Sequence, residues 1–150
     1  MAVGTLLVAF ELVLRHRALA AAGWIAMLLS IIVFTLVDAM GGYVLASLAA
    51  ISDGAGAFAG FKRLFDALFL LGTVAFSGGA IVALAAELSG PAPFVGRPLA
   101  IGGILVGLTG LLTSAACFIG LPFGQGTGIS VALGAAVFAA IGLQLARTAP

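Results

Sequence analysis

A long uncharged stretch in the C-terminal third limits the folds that this chain can adopt. No Asp, Glu, Lys or Arg occurs from Pro98 to Ala146, whereas one crossing of a bilayer needs only about 20 apolar residues. The stretch is therefore long enough to cross a membrane twice. Backbone amides and carbonyls find no water in lipid, so each crossing must be a helix or part of a closed barrel. Continuous apolar sequence without polar alternation excludes the barrel.

Composition extends this conclusion to the whole chain. Hydrophobic residues make up 63% of the sequence and charged residues 7%, against about 25% charged residues in soluble domains. The formal net charge of +1 is too small to indicate a nucleic-acid surface. We predict an all-α integral membrane protein that forms a single transmembrane domain over residues 1–150, with membrane lipids around it and no nucleic-acid partner.

The few charges divide the chain into four predicted spans. A loop rich in Pro and Gly, from Ser89 to Pro98, separates the second span from the third, and a glycine-rich turn from Pro122 to Gly128 separates the last two. Asp53 and Glu87 are interpreted as boundary residues that end apolar runs. The expected fold is a four-helix transmembrane bundle. Its spans cover about 18–37, 64–86, 99–120 and 129–146.

The N-terminal segment from Val3 to Leu14 allows two interpretations. Its charges, Arg15 and Arg17, follow the apolar stretch, which is the reverse of the order in a cleavable signal peptide. The segment is either a short fifth span or an interfacial helix in which Glu11 pairs with Arg15 one turn away. If it spans, Glu11 lies at depth and could bind a cation or a proton.

The first span runs on into a second uncharged segment after Asp38. A continuous helix from Ala18 to Ile51 would be about 50 Å long, so we expect a break at Gly41-Gly42, because glycine disfavours helix interiors. Tyr43 to Ile51 would then form a short helix at the membrane face. Asp38 and Tyr43 flank this break, either in a broken-helix binding site or at an interfacial helix end where Tyr43 anchors in the headgroups.

The second span begins with an amphipathic segment. Lys62 and Asp66 are one turn apart and predict an ordinary exposed ion pair. Phenylalanines recur at spacings of three and four residues, and this face is expected to lie in lipid with the charges toward the headgroups. The face consists of Phe58, Phe61, Phe65 and Phe69.

Small residues recur at helical spacing on every span, and in lipid such residues allow helices to pack closely. The third span shows this spacing of small residues clearly. These positions either pack inside the bundle or present a face to another subunit or a second copy, and Gly103 with Gly107 is the strongest candidate for an outward contact. The candidate packing residues are Gly103, Gly107, Gly110 and Ser114.

Residues suited to catalysis or metal binding are scarce. His16 is the only histidine and Cys117 the only cysteine, so the chain alone cannot supply a multi-histidine metal site, two haem-ligating histidines or a Cys-x-x-Cys motif. His16 is expected to belong to the positively charged anchor between Arg15 and Arg17. We therefore expect that the protein is not an enzyme and that it has no catalytic, metal-binding or cofactor-binding residue.

The positions of Lys and Arg predict the orientation. A four-span topology places four arginines on one side of the membrane and Lys62 with Arg63 on the other, and the positive-inside rule then puts the arginines and the C-terminus in the cytoplasm. The compositional bias suggests a bacterial inner membrane. The four arginines are Arg15, Arg17, Arg97 and Arg147.

Function is predicted less specifically than location. The leading hypothesis is a non-catalytic accessory or scaffold subunit of a larger membrane complex, which acts by packing against other subunits or by self-association. A small transporter or channel that uses Asp38 or Glu11 is one alternative. A binder of a hydrophobic ligand such as a lipid, a quinone or a pigment is the other.

Overall fold

The computed structural model describes residues 2–15, 17–51, 55–90 and 95–148. Within these ranges the regular structure is entirely helical, and four of the five helices are long and apolar enough to cross a membrane, which confirms the predicted all-α membrane fold. The predictions for His16, for Asp53 and for the middle of the Ser89–Pro98 loop fall outside these ranges. The helices are α1 (Ala2–Leu14), α2 (Ala18–Ala49), α3 (Ala55–Leu88), α4 (Arg97–Phe118) and α5 (Gly124–Thr148).

The bundle is built on the long antiparallel pair of α2 and α3. These helices approach so closely that a β-carbon on Gly23 would lie 2.5 Å from the backbone nitrogen of Ala83. Apolar helices gain little from hiding apolar surface in lipid, so close approach over small residues supplies the packing. α4 packs on α3, α5 packs on α4, and α1 folds back along α2. α1 and α5 are therefore the two edge helices.

Helix α2 does not break at Gly41-Gly42. It continues to Ala49 through π-helical turns from Met40 to Leu45. The prediction of a separate helix from Tyr43 to Ile51 is therefore wrong, because a π-helical segment accommodates an extra residue without ending the helix. Gly41 also leaves room for Phe65, whose ring lies 3.1 Å from the place that a β-carbon would take.

Part of the predicted phenylalanine face packs within the protein. Phe65 lies against Gly41, and the ring centroid of Phe69 is 5.8 Å from that of Phe34 on α2. Of the four phenylalanines only Phe61 is exposed. The lipid-facing prediction is wrong for Phe65 and Phe69, because α2 and α3 stay paired along this stretch and these half-buried rings pack between them.

α2 and α3 project past α4 and α5 as a helical hairpin, formed by residues 40–49 and 55–66. Gly110 of α4 lies against Ser77 of α3, and α4 ends about two turns beyond Gly110, near the level of Phe69. α2 has 32 residues and α3 has 34. They are thus about 48 Å and about 51 Å long, against a hydrocarbon core of about 30 Å.

A tight turn joins α4 to α5. Gly120 has a φ of 84°, in the left-handed region that glycine adopts without strain. The amides of Gly120 and Leu121 donate to the carbonyls of Cys117 and Ala116 at 3.0 and 2.9 Å, which is the Schellman arrangement at a helix end.

α5 begins earlier than predicted, so the expected turn from Pro122 to Gly128 is too long. The helix starts at Gly124. Thr127 explains the early start, because its amide donates to the carbonyl of Phe123 at 3.1 Å and its hydroxyl approaches the same oxygen at 3.4 Å. These bonds close the first helical turn despite three glycines nearby.

Candidate functional site

An apolar cleft lies between the two edge helices. In the described part of the chain, α1 packs on α2 alone, and the backbone of α5 closely approaches neither α1 nor α2. The intervening space is a cavity of about 300 Å³, about twice the roughly 150 Å³ engineered cavity that holds benzene. We call it the α1–α5 cleft. It is large enough for more than one small ring.

Three aromatic side chains form the floor of the cleft. Phe138 of α5 meets Trp24 of α2 with ring centroids 5.5 Å apart and planes at 82°. The same ring meets Phe76 of α3 at 5.3 Å and 70°. Each such edge-to-face pair contributes about 0.5–1.5 kcal/mol beyond the area that it buries. Side chains, rather than close backbone packing, therefore connect α5 to α2.

A glycine on α5 makes this floor possible. Gly134 is buried, and a β-carbon at this position would collide with the Phe76 ring. With hydrogen in its place, the Phe76 ring can pack against α5 and reach Phe138. The floor is thus fixed from three helices at once.

The mouth of the cleft is lined by small, exposed residues. Gly4 on α1 faces Ala139 and Gly142 on α5, and all three are exposed. The cleft therefore opens sideways, toward the surrounding lipid. Its side-chain polar atoms are confined to the Thr5 hydroxyl and the Trp24 indole nitrogen. The other lining residues are Val8, Met27, Ile31 and Ile141.

A buried ion pair closes the bundle beyond the aromatic floor, at the end where α2 starts and α3 finishes. Nη1 of Arg17 lies 3.1 Å from Oε1 of Glu87, and the Glu87 side chain is 0% exposed while that of Arg17 is 21% exposed. Nη2 of Arg17 also approaches the carbonyl of Ala86 at 3.4 Å. A β-carbon on Gly90 would collide with the same guanidinium. The pair therefore holds α2 to α3 at this end.

Sequence reasoning missed the role of Glu87, which it interpreted as a boundary residue. Its partner Arg17 is 70 positions away, so no local spacing relates them. The available signal was the balance of charges. The sequence predicts four arginines at one end of the bundle. Glu87 is predicted at the same end, so an ion pair between Glu87 and one of these arginines could have been expected.

The two predicted ion pairs within single helices are confirmed. Nε of Arg15 lies 2.7 Å from Oε1 of Glu11, with the side chains 69% and 55% exposed. Nζ of Lys62 lies 2.8 Å from Oδ2 of Asp66, with both side chains 52% exposed. Glu11 is thus paired at the surface of α1.

Asp38 and Tyr43 are both exposed on α2 and do not line the cleft. Tyr43 is 79% exposed, and its carbonyl accepts a hydrogen bond from the Ser47 hydroxyl at 2.6 Å. Since α2 is helical on both sides of these residues, the structure does not bring them together with Glu11.

The small residues of α4 face α3 inside the chain. A β-carbon on Gly103 would collide with Leu84, and one on Gly107 would lie 2.8 Å from Ile81. Gly110 lies against Ser77, and Ser114 is fully buried. In this chain the stripe packs inward. Among the described residues, no group of three or more His, Cys, Asp or Glu side chains is placed to hold a metal ion.

These features define a multi-pass helical membrane protein with a laterally open apolar cleft. Comparisons with protein-family models, with curated proteins and with solved structures find no match to this chain. The proposals below are therefore derived from the geometry of the bundle alone.

Proposed function

We propose that the protein binds the hydrocarbon chain of a membrane amphiphile in the α1–α5 cleft. The observation that supports this function is the laterally open cavity of about 300 Å³ with almost wholly apolar walls. An apolar void without atoms loses the dispersion contacts of its lining, and a chain inserted from the bilayer restores them. Lipid chains surround the opening at high concentration, so mass action favours occupancy even at modest affinity.

The dimensions favour a chain over a large ring system. Ligand pockets for drug-sized molecules extend from about 300 to 1,000 Å³, so this cleft, at about 300 Å³, lies at the lower limit. A quinone or a pigment would have to leave most of its length outside. One hydrocarbon chain can enter between Gly4 and Gly142 and lie along the aromatic floor.

Filling the mouth of the cleft tests this function. Gly142→Leu adds a side chain at the opening where a β-carbon meets no atom within 4 Å, so the fold should persist while the chain is excluded. Mass spectrometry of protein extracted in mild detergent should then show a several-fold loss of retained amphiphile. Gly128→Leu, in equally open space on the same helix but away from the cleft, is the matched control. Equal retention by both variants would contradict the proposal.

A second candidate function, as an accessory subunit of a larger membrane assembly, is favoured by the projecting hairpin. Between Ala39 and Phe61 the sequence contains one charged residue, Asp53, although soluble surfaces are rich in charge. Exposed apolar residues on the hairpin include Phe61 and Leu64, and patches of this kind commonly mark contact sites. We propose that another membrane subunit covers them. Cross-linking from the hairpin in intact membranes tests this second candidate.

A further inference from the structure

The cleft-lining face of α1 continues beyond the cleft into a charged pair. Gly4 and Val8 line the cavity, and each residue turns a helix by about 100°. Glu11 and Arg15 follow Gly4 and Val8 at spacings of three and four residues and so share their face. Glu11 lies about 4.5 Å beyond Val8 along the axis, and Arg15 about 10 Å beyond it. A chain held in the cleft would therefore have its polar end beside this pair.

The pair offers one charge of each sign to that polar end. Nε of Arg15 and Oε1 of Glu11 are 2.7 Å apart, and both side chains are more than half exposed. Arginine presents five N–H donors and a carboxylate accepts several hydrogen bonds, so neither group is saturated by the other. Arg17, the next arginine, is already engaged by the buried Glu87. On α5, beyond the residues that line the cleft, Oε1 of Gln144 accepts a hydrogen bond from the amide of Gly96 at 3.3 Å.

We propose that the amphiphile is a zwitterionic phospholipid with a primary ammonium, of the phosphoethanolamine class, an inference that rests on the proposed function of the cleft. Its phosphate accepts hydrogen bonds from Arg15, and its ammonium donates to Glu11. A purely anionic headgroup has a phosphate for Arg15 but no ammonium to pair with the Glu11 carboxylate. A quaternary ammonium headgroup has no N–H to donate to Glu11. Charge complementarity thus selects the headgroup, and the apolar cleft binds the chain.

Headgroup competition tests the assignment. The full-length protein is reconstituted in bilayers with equal amounts of phosphoethanolamine, phosphocholine and phosphoglycerol lipids that have identical chains. Native mass spectrometry then measures the retained lipid. Wild type should enrich the phosphoethanolamine lipid about 1.4- to fivefold over the bulk, the ratio expected from one exposed charge pair. Glu11→Gln should remove the preference over phosphocholine, and Arg15→Gln should weaken retention of all three phospholipids.

Asp66→Asn is the matched control, because Lys62 and Asp66 form the same kind of exposed pair on α3 away from the cleft. This variant should keep the wild-type preference. Enrichment of the phosphocholine or the phosphoglycerol lipid by wild type, or an unchanged preference in Glu11→Gln, would overturn the headgroup assignment. If the three lipids are retained equally but Gly142→Leu still reduces lipid retention several-fold, the proposed function of the cleft stands and the headgroup assignment fails. If wild type retains no lipid, both fail.

Discussion

At the scale of single residues, the most informative side chain is Glu87. Removing two charges from water costs several kcal/mol for each ion, and the cost is offset only by good pairing geometry and further hydrogen bonds. Glu87 is fully buried, whereas Arg17 retains 21% exposure and a long stem that can reach the headgroups. The two partners are therefore unequal. Losing the arginine leaves a charge that has no route to water, and losing the carboxylate does not.

This asymmetry predicts unequal effects of two matched substitutions. Arg17→Gln should lower the free energy of unfolding by about 3 kcal/mol or more, the usual effect of removing one partner of a buried ion pair. Glu87→Gln should cost about 1–2 kcal/mol, because Arg17 can turn toward solvent and only hydrogen bonds are lost. Reversible unfolding in mixed detergent micelles measures both values.

Asp66→Asn provides the reference for that experiment. Its pair with Lys62 is half exposed, so the substitution should change the free energy of unfolding by less than about 0.5 kcal/mol. A larger loss for Glu87→Gln than for Arg17→Gln would contradict the proposed role of burial.

At the scale of helices, two neighbouring glycines on α4 lie in different surroundings: Gly103 packs inside the bundle, and Gly102 faces outward. Gly103 lies against Leu84, whereas a β-carbon on Gly102 would meet no atom within 4 Å. Gly103→Leu should therefore destabilise the bundle by about 1–3 kcal/mol, the usual cost of overpacking. Gly102→Leu should be neutral or slightly stabilising, because leucine favours helix more than glycine does. The detergent unfolding assay compares the two variants.

The alternative use of the same stripe, as a docking face, predicts a different result. If Gly103 and Gly107 docked a second chain, Gly103→Leu would leave the monomer intact and change its oligomeric state. Sedimentation in detergent would detect that change. The adjacent Gly102→Leu variant controls for the added bulk.

Helices were predictable from the sequence because lipid enforces them. Each predicted span overlaps an observed helix, since an uncharged stretch in a bilayer has to satisfy its backbone internally. The continuation of α2 past Gly41-Gly42 was not predictable, because it depends on Phe65 of another helix filling the space beside Gly41. Helix propensity describes one segment at a time, whereas the continuation of α2 depends on the packing of two segments against each other.

The candidate site was less predictable than the fold. Glu11 was recognised as unusual because it interrupts an apolar stretch, and its pairing with Arg15 follows from their spacing. The α1–α5 cleft leaves no local pattern, because its walls come from opposite ends of the chain and from the side chains of Trp24 and Phe138 between them. Only the order of helices around the bundle brings these residues together.

At the scale of the whole molecule, the α2–α3 pair is much longer than the rest of the bundle. The bundle matches the thickness of the hydrocarbon core through α4, with 22 residues, or about 33 Å. The hairpin extends beyond that depth. Its base carries Lys62, Arg63 and Asp66, whereas the stretch from Met40 to Phe61 contains one charged residue, Asp53. An exposed apolar surface of this kind commonly marks a site of contact with a protein or with the membrane.

A photoreactive side chain at position 43 should therefore form a discrete protein adduct in intact membranes. Tyr43 is 79% exposed on the hairpin, where the second candidate function places a partner subunit. The same group at Leu112, which is 71% exposed on α4, should react with lipid only. Gel mobility and mass spectrometry identify the products.

Two outcomes would argue against a separate partner subunit. An adduct of twice the chain mass of 14.8 kDa would identify a second copy and make the protein self-associating. Lipid adducts alone at both positions would show that the hairpin lies in the membrane without a partner. Either result leaves the function of the cleft unchanged, because the hairpin does not line it.

The Arg17–Glu87 pair also sets an order of events during synthesis. Arg17 leaves the ribosome 70 residues ahead of its partner, so α1 and α2 reach the membrane while the guanidinium has only headgroups and water to bind. Its charge keeps the start of α2 at the surface during that interval. Because Glu87 lies in the last turn of α3, the pair that joins the start of α2 to the end of α3 can form only after the whole of α3 has been made.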